Sequence, residues 1–181
     1  MTEFEGLSTC TRCDLSRTRQ RVVIGSGPLT ARLMIVGEAP GKTEDEGGAP
    51  FIGQSGRLFF TLLDEEVGLT REECYVTNVV KCRPPANRTP TPKEIETCRP
   101  WLIEQLDTVA PQFILTLGNT AGRAIFNYPT GIGRVHGHVF RSGTIRGLPT
   151  YHPAAALRGG PSVVDVMRAD LGVLRRLLES A

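Results

Sequence analysis

Four of the five cysteines are spaced as the ligands of a metal centre would be. Cys10 and Cys13 form a C-x2-C pair, whereas Cys82 and Cys98 enclose the proline-rich stretch "RPPANRTPTP" and the helix start that follows it. Four converging thiolates can hold an iron–sulfur cluster, and zinc accepts four cysteines as well. Unrelated buried thiols are the alternative, because a C-x2-C pair also arises by chance.

The expected cellular compartment argues against disulfides. The N-terminal residues "MTEFEGLSTC" lack the basic-then-apolar pattern of a signal peptide, so we expect a cytoplasmic protein. Thiols stay reduced in that compartment. Cys74 lies in an apolar alternation and is expected to pack in the core as a small hydrophobe.

The composition is that of one globular domain, which we expect to span residues 1–181 as a monomer. Of the 181 residues, 40% are hydrophobic and 22% are charged, enough for a sizeable core. The longest apolar stretches, such as "RLMIVGEAP", are far shorter than the roughly 20 residues of a membrane-spanning helix, so no membrane partner is expected. A net charge of +2 is too small to identify nucleic acid as the partner by itself.

Strand-like and helix-like segments alternate along the sequence. Apolar runs predict buried strands at 32–37, 74–82 and 111–119 and within "GLPTYHPAAAL", while "GRVHGHVFR" predicts a short hairpin-like strand. The alternation predicts an α/β fold, a three-layer α/β/α sandwich around a mostly parallel, four-stranded sheet.

Three longer helices and one short helix are predicted between these strands. Helices with an apolar face are expected at 55–68, 93–110 and 162–180. Pro100 should kink the second of them or make it restart. A short helix is expected over "TAGRAIF", with Asn119 or Thr120 as its cap.

Ligands of such folds bind beyond the carboxyl ends of the strands. This rule selects four segments with small or polar residues where a core would need bulk: "GEAPG", "TNVVKCRPP", "LGNTA" and "YHPAA". We interpret "GEAPG" as a turn from a strand into a pocket, rather than as a loop for nucleotide phosphates.

Taken in order, these motifs resemble those of a known family. "GEAPGKTEDEGGAPFIGQSGRL", "TNVVKCRPP", "CRPWL", "LGNTA" and "YHPAA" resemble the family-four uracil-DNA glycosylases, from about Cys10 to the final helix. The resemblance implies the uracil-DNA glycosylase fold and removal of uracil from DNA in base-excision repair. It also favours a four-iron four-sulfur cluster over zinc as the group held by Cys10, Cys13, Cys82 and Cys98.

Removing a base from DNA requires a pocket for a flipped nucleotide. The resemblance makes Phe51 the ring that stacks on the base. Asn78 presents a donor and an acceptor, which match N3 and O4 of uracil and mismatch cytosine. His152, whose direction Pro153 helps to fix, can donate a hydrogen bond to uracil O2 as negative charge develops. The structural alternatives are a core phenylalanine, an amide that ties down a turn, and a core histidine with its own partner.

Glu38 and Glu44 are the candidates for handling water and the cationic sugar. The best-known uracil glycosylases have an aspartate where this chain has Ala39, which is therefore expected to line the uracil pocket without orienting water. Glu44 has an alternative role as a wall near C5 of the base, where it would help to exclude thymine. Asp45 and Glu46 are expected to be solvated, or else to cap the following segment.

Contacts to uracil-containing DNA, single- or double-stranded, are expected around the rim of this pocket. Backbone amides and small polar groups of "GQSGR" and "LGNTA" would let a phosphate approach closely. Leu157 would fill the gap left by the flipped base, and His136 or His138 would touch phosphate. The predicted DNA-binding side chains are Ser55, Arg57, Asn119, Thr120, Leu157 and Arg158, with Arg83, Arg88 and Arg134 completing an arginine cluster.

Two other functions remain open at this point. A metal-cluster protein could bind DNA without cleaving it, but would not need Asn78, Phe51 and His152 together. A related glycosylase could act on other deaminated bases such as hypoxanthine, or form a covalent adduct with the abasic sugar. Adduct-forming relatives carry a histidine in an insertion before "CRPWL", and "PPANRTPTPKEIET" has none, which favours hydrolysis.

Overall fold

A five-stranded sheet forms the centre of the computed structural model, which describes residues 4–180. Its strands, in chain order, are β1 (Leu33–Gly37), β2 (Tyr75–Asn78), β3 (Phe113–Leu117), β4 (Phe140–Ser142) and β5 (Ile145–Thr150). They lie in the order β2-β1-β3-β5-β4, and all neighbours are parallel except β4 and β5. The expected, mostly parallel sheet is confirmed. The expected number of four strands is wrong, because β4 folds back onto β5 and extends the edge of the sheet.

The described residues form seven α-helices. They are α1 (Lys42–Gly47), α2 (Gln54–Val67), α3 (Pro92–Val109), α4 (Asn119–Phe126), α5 (Ile132–Val135), α6 (Pro153–Gly159) and α7 (Pro161–Glu179). The helices predicted at 55–68, 93–110 and 162–180 are confirmed with small shifts at their ends. None of the helices between residues 4 and 180 has the length and apolar character to cross a bilayer.

Three local predictions about the helices need correction. α3 does not restart at Pro100, which lies inside one continuous helix opened by a capping box at Thr91. The N-cap of α4 is Gly118, with φ of 89°, so neither Asn119 nor Thr120 caps it. Residues 133–135 of the segment predicted as a hairpin-like strand belong to the short helix α5.

β2 is shorter than predicted, because the chain leaves the sheet after Asn78. The Val79 amide donates to the Gly37 carbonyl at 2.9 Å. The Val80 amide likewise donates to the Glu38 carbonyl at 3.1 Å. Both valines are buried at 1% exposure, which is why the apolar alternation imitates a longer strand.

Each face of the sheet is covered by helices, which confirms the α/β/α sandwich. Alternate residues of β1 point to opposite faces. Leu33 and Ile35 pack in one core with side chains of α2, α6 and α7, whereas Met34 and Val36 pack in the other with side chains of α3 and α4. Cys74 is fully buried in the first core, as expected of a small hydrophobe.

Candidate active site

A small pocket lies beyond the carboxyl ends of β1, β2 and β5. The turn after β1 and the loop around α1 form one side, β2 contributes its last residue, and the segment after β5 closes the pocket. The lining residues are Ala39, Gly41, Glu44, Phe51, Ser55, Asn78 and His152. Six of these were predicted as site residues, so the fold brings together side chains that lie far apart in the sequence.

Asn78 lines the pocket and carries an unsatisfied polar atom. It is 1% exposed, and its Oδ1 is buried without a hydrogen-bond partner among the described residues. A buried amide oxygen without a partner is costly, so a ligand that donates a hydrogen bond would relieve the cost. Room for this oxygen depends on Gly37, where a Cβ would lie 2.4 Å from Oδ1.

Phe51 lines the pocket and also packs in the adjoining core. Its ring centroid lies 5.9 Å from that of His152, with an angle of 34° between the planes, and 6.4 Å from that of Phe59. The residue is 6% exposed and has a left-handed backbone, with φ of 53°. The phenylalanine is therefore anchored in the core and still presents its ring to the pocket.

His152 is held as a neutral imidazole with a defined tautomer. Its Nδ1 accepts a hydrogen bond from the Ala154 amide at 3.2 Å, which assigns the proton of the neutral ring to Nε2. Burial lowers the pKa of His152 to about 4, Arg158 acts in the same direction, and Glu44 opposes them. Near neutral pH the site thus offers an uncharged Nε2–H donor.

The Glu44 carboxylate braces the loop that surrounds the pocket. Its Oε1 accepts a hydrogen bond from the Gly53 amide at 2.8 Å, and its Oε2 accepts one from the Gly41 amide at 3.1 Å. The side chain is 9% exposed. Both oxygens are therefore engaged by backbone amides, and the residue lines the pocket.

Glu38 lines a wider cleft next to the pocket. The cleft has a volume of about 430 Å³ and shares Ala39 and His152 with the pocket. The Thr120 hydroxyl donates a hydrogen bond to Oε2 of Glu38. Other residues of the cleft are Pro40, Pro84, Asn87, Arg88, Thr89, Leu117, Gly118, Asn119, Ala154 and Arg158.

A second cavity, of about 690 Å³, lies away from this site. Its lining includes Leu33, at the start of β1, and Arg175 in α7. Although this cavity is larger, ligands of α/β sheets bind at the carboxyl ends of the strands. We therefore assign the chemistry to the pocket that contains Asn78.

The predicted DNA-binding residues differ in their placement. Ser55 lines the pocket, and Asn119 and Arg158 line the cleft. Arg57 is exposed on α2, with Nη1 donating to the Ile52 carbonyl. Leu157 is 44% exposed on α6. These side chains lie on α2, α4 and α6, and their contacts to DNA stay predictions.

Comparison with known proteins identifies the family. Residues 24–171 match the model of the Uracil DNA glycosylase superfamily. The chain belongs to that superfamily. It is 43% identical over 159 residues to the Type-4 uracil-DNA glycosylase of Archaeoglobus fulgidus, a match that covers 83% of this chain and 79% of that protein.

Two more Type-4 uracil-DNA glycosylases are similar over most of their length. The protein of Saccharolobus solfataricus is 40% identical, over 94% of this chain and 82% of its own. The protein of Thermotoga maritima is 42% identical, over 85% and 81%. The expected membership of family four is confirmed.

The four predicted cysteine ligands of this superfamily member line one small cavity. Trp101 Nε1 donates to Cys10 Sγ, and Arg19 Nη1 donates to Cys82 Sγ, each at 3.3 Å. Among residues 4–180, however, no three His, Cys, Asp or Glu side chains are grouped as a metal ion would hold them. The lining consists of Leu7, Cys10, Arg12, Cys13, Arg19, Lys81, Cys82, Thr97, Cys98 and Trp101.

Asp45 is buried, which corrects the expectation that it is solvated. It is 1% exposed, and its Oδ1 accepts hydrogen bonds from the amides of Gln20 at 2.9 Å and Arg21 at 3.3 Å. Glu46 is exposed, as expected, and pairs with Lys42 at 3.9 Å. Asp45 thus ties the segment after the first cysteine pair to α1.

Asp170 is a buried aspartate whose structural role the sequence did not reveal. It is 3% exposed, accepts a hydrogen bond from the Thr150 hydroxyl at 2.7 Å, and lies 3.0 Å from Nδ1 of His136. It therefore joins α7 to the end of β5, two residues before His152. An aspartate on the buried stripe of α7, between Met167 and Leu174, is the signal that could have identified it.

Proposed function

We propose that this protein is a DNA-repair glycosylase that hydrolyses the bond between uracil and deoxyribose in DNA and leaves an abasic site. One observation carries the proposal. Asn78, whose buried Oδ1 has no hydrogen-bond partner among the described residues, lines one pocket with Phe51 and His152. The Type-4 uracil-DNA glycosylases that resemble the chain support the same activity.

Asn78 would select uracil by its hydrogen-bonding edge. Its Oδ1 would accept from uracil N3–H, and its amide group would donate to O4. Cytosine has an acceptor at N3 and donors at N4, so both contacts would be mismatched. A base that leaves buried polar groups of the site unpaired is rejected strongly. The Phe51 ring would stack on the flipped base, since base–aromatic stacking accepts any π-face.

The neutral His152 would stabilise the leaving base. As the bond from C1′ to N1 breaks, its electron pair passes to uracil, whose negative charge is shared by N1, O2 and O4. The Nε2–H of His152 would donate to O2, and this hydrogen bond strengthens as the charge develops. The sugar takes on oxocarbenium character, a water oxygen bonds to C1′, and the proton released from water balances the uracil anion.

Glu38 is the proposed carboxylate for water and the cationic sugar. It lines the open cleft, and the Thr120 hydroxyl fixes one of its oxygens. Glu44 has both oxygens engaged by backbone amides, which favours its alternative role as a wall of the pocket. Ala39 contributes surface to pocket and cleft but no carboxylate.

The DNA backbone would lie across the rim of the pocket. Arg158 and Asn119 line the cleft and are proposed to face phosphate, together with the exposed Arg57. Leu157, an exposed apolar side chain on α6, would enter the space left by the flipped base. Ser55 and Thr120 supply small polar groups beside the pocket and the cleft. The rim would contact uracil-containing DNA, single- or double-stranded.

A four-iron four-sulfur cluster is the proposed cofactor, held by Cys10, Cys13, Cys82 and Cys98. The thiols fit it, because all four line one cavity and two of them accept N–H donors. Such hydrogen bonds accompany cysteines that ligate clusters. A single zinc ion would draw four sulfurs to about 2.3 Å from one point, whereas a cluster holds its thiolates farther apart. When bound, the cluster would join the N-terminal segment to α3.

Metal analysis of the purified protein separates the two cofactors. We expect about four iron atoms and four sulfides per chain with brown visible absorption, lost in Cys98→Ser and retained in Cys74→Ser. Cys74 is the control because it is buried in a different core. One zinc atom and no iron per chain would contradict the cluster and leave the glycosylase proposal standing.

The activity is tested with a panel of oligonucleotides that carry uracil, hypoxanthine or a thymine mismatch, in single and double strands. We expect abasic sites from uracil, and loss of this activity in His152→Ala. Preference for hypoxanthine would assign the pocket to another deaminated base. DNA binding without any abasic product would assign the chain to non-catalytic binding.

A further inference from the structure

Phe51 has a backbone conformation that needs support. Its φ of 53° lies in the left-handed region, which bulky residues rarely occupy. Conformations of this kind persist only where the surrounding structure holds them, and they cluster at functional sites. Because the Phe51 ring lines the pocket, whatever holds the backbone also sets the position of the ring.

Arg71 binds the carbonyl groups on both sides of this strained position. It lies in the 3-10 helix Arg71–Glu73, just before β2. Nη1 donates to the Phe51 carbonyl at 3.2 Å, and Nη2 donates to the carbonyl of Pro50 and to the Ser26 hydroxyl. The guanidinium carbon lies 4.9 Å from the ring centroid of Phe60.

Two glycines close the other sides of Phe51. A Cβ at Gly56 would lie 1.9 Å from the Phe51 carbonyl oxygen, so α2 begins in direct contact with this backbone. A Cβ at Gly37 would lie 2.3 Å from Cζ of the ring. Close packing therefore confines the backbone and the ring of Phe51, and Arg71 adds hydrogen bonds to the carbonyls of Pro50 and Phe51.

We propose that Arg71 is a positioning residue, which fixes the Phe51 ring as the platform for the flipped base. This inference rests on the proposed function. The planar guanidinium can donate to two successive carbonyls at once, whereas a lysine ammonium cannot reproduce this fork. A ring that is already in place does not have to be ordered when the base arrives.

A double-mutant cycle tests the proposal. We expect Arg71→Lys to lower kcat/KM for uracil release about tenfold in the wild-type background. In a Phe51→Leu background the same change should alter kcat/KM by less than about twofold, because the ring on which Arg71 acts is gone. Equal losses in both backgrounds would overturn the proposal.

Arg146→Lys is the matched control, because Arg146 also lies over a phenylalanine ring, that of Phe113, at 5.1 Å. It should leave kcat/KM unchanged. Arg71→Gln is the second variant, and circular dichroism establishes which variants fold. If neither Arg71 variant folds while Arg146→Lys does, Arg71 supports the fold as a whole and the proposal is overturned. If the wild-type protein releases no uracil, the proposed function fails first.

Discussion

Burial determines the chemistry available to individual side chains of the pocket. Asn78 keeps an unpaired amide oxygen because the surrounding residues supply no donor to it. His152 is held neutral because burial disfavours its charged form. An uncharged donor suits a leaving group that is neutral at first and becomes anionic, since its hydrogen bond gains strength only as the reaction proceeds.

The protonation state of His152 can be observed directly. We expect ¹⁵N NMR of histidine-labelled protein, assigned with a His152→Gln variant, to show a neutral ring protonated on Nε2 from pH 8 to pH 5. The reason is that the pKa of His152 is lowered to about 4. A titration midpoint near the ordinary histidine value, about 6.5, would contradict a role as neutral donor.

At the scale of elements, the pocket depends on close approach between the ends of strands and the loops that follow them. Gly37 is the last residue of β1, and a Cβ there would collide with both Asn78 and Phe51. An ion pair holds the connector between β2 and α3. Arg88 and Glu94 pair at 2.7 Å, which fixes the cleft wall to the first turn of α3.

Gly37→Ala should damage activity more than the fold. Because the added methyl group would have to displace the Phe51 ring or Oδ1 of Asn78, we expect kcat/KM for uracil to fall about a hundredfold. The free energy of unfolding should fall by about 1–3 kcal/mol. Gly131→Ala is the control, since Gly131 has φ of −84° and nothing within 4 Å of an added Cβ. Full activity in Gly37→Ala would disprove the tight fit.

Glu94→Gln should reduce stability above acidic pH. Hydrogen bonds from Arg88 lower the pKa of Glu94 to about 2, so the pair stabilises the fold above the ordinary carboxyl pKa and is lost as the pH falls toward 2. The Arg88 side chain is 41% exposed. Allowing for solvent screening, we expect a loss of about 0.5–1 kcal/mol in urea unfolding at pH 7.

Glu96→Gln is the matched control for the Glu94 variant. Glu96 is exposed in the same helix, and its amide variant should change stability by less than about 0.5 kcal/mol. Equal effects of the two variants at pH 7 would show that the pair with Arg88 contributes nothing specific.

At the scale of the whole molecule, the order of apolar runs and polar turns predicts most of the fold. Alternating strands and helices place the polar ends of β1, β2 and β5 on one edge, where Asn78 and His152 meet. The end of β2 could not be predicted, because Val79 and Val80 are buried after the strand has ended and so extend its periodicity.

The partners of isolated charges were the other part that sequence reasoning could not supply. Asp45 is buried against the amides of Gln20 and Arg21, which carry no side-chain signal. The hydrogen bond from Arg71 to the Phe51 carbonyl likewise depends on how the loop packs. Side chains that bind backbone atoms across the fold leave no pattern of residue types, so their roles emerge only from the structure.

Release of free uracil, measured by mass spectrometry, shows whether this protein excises uracil from DNA. The purified protein is incubated with matched oligonucleotides that carry either one uracil or one cytosine. We predict one uracil released per abasic site, no free cytosine, and a loss of about a hundredfold or more in kcat/KM for Asn78→Ala, because the uracil edge is then unpaired. Absence of uracil release by the folded wild-type protein, or unchanged release by Asn78→Ala, would contradict uracil excision in the pocket that Asn78 lines.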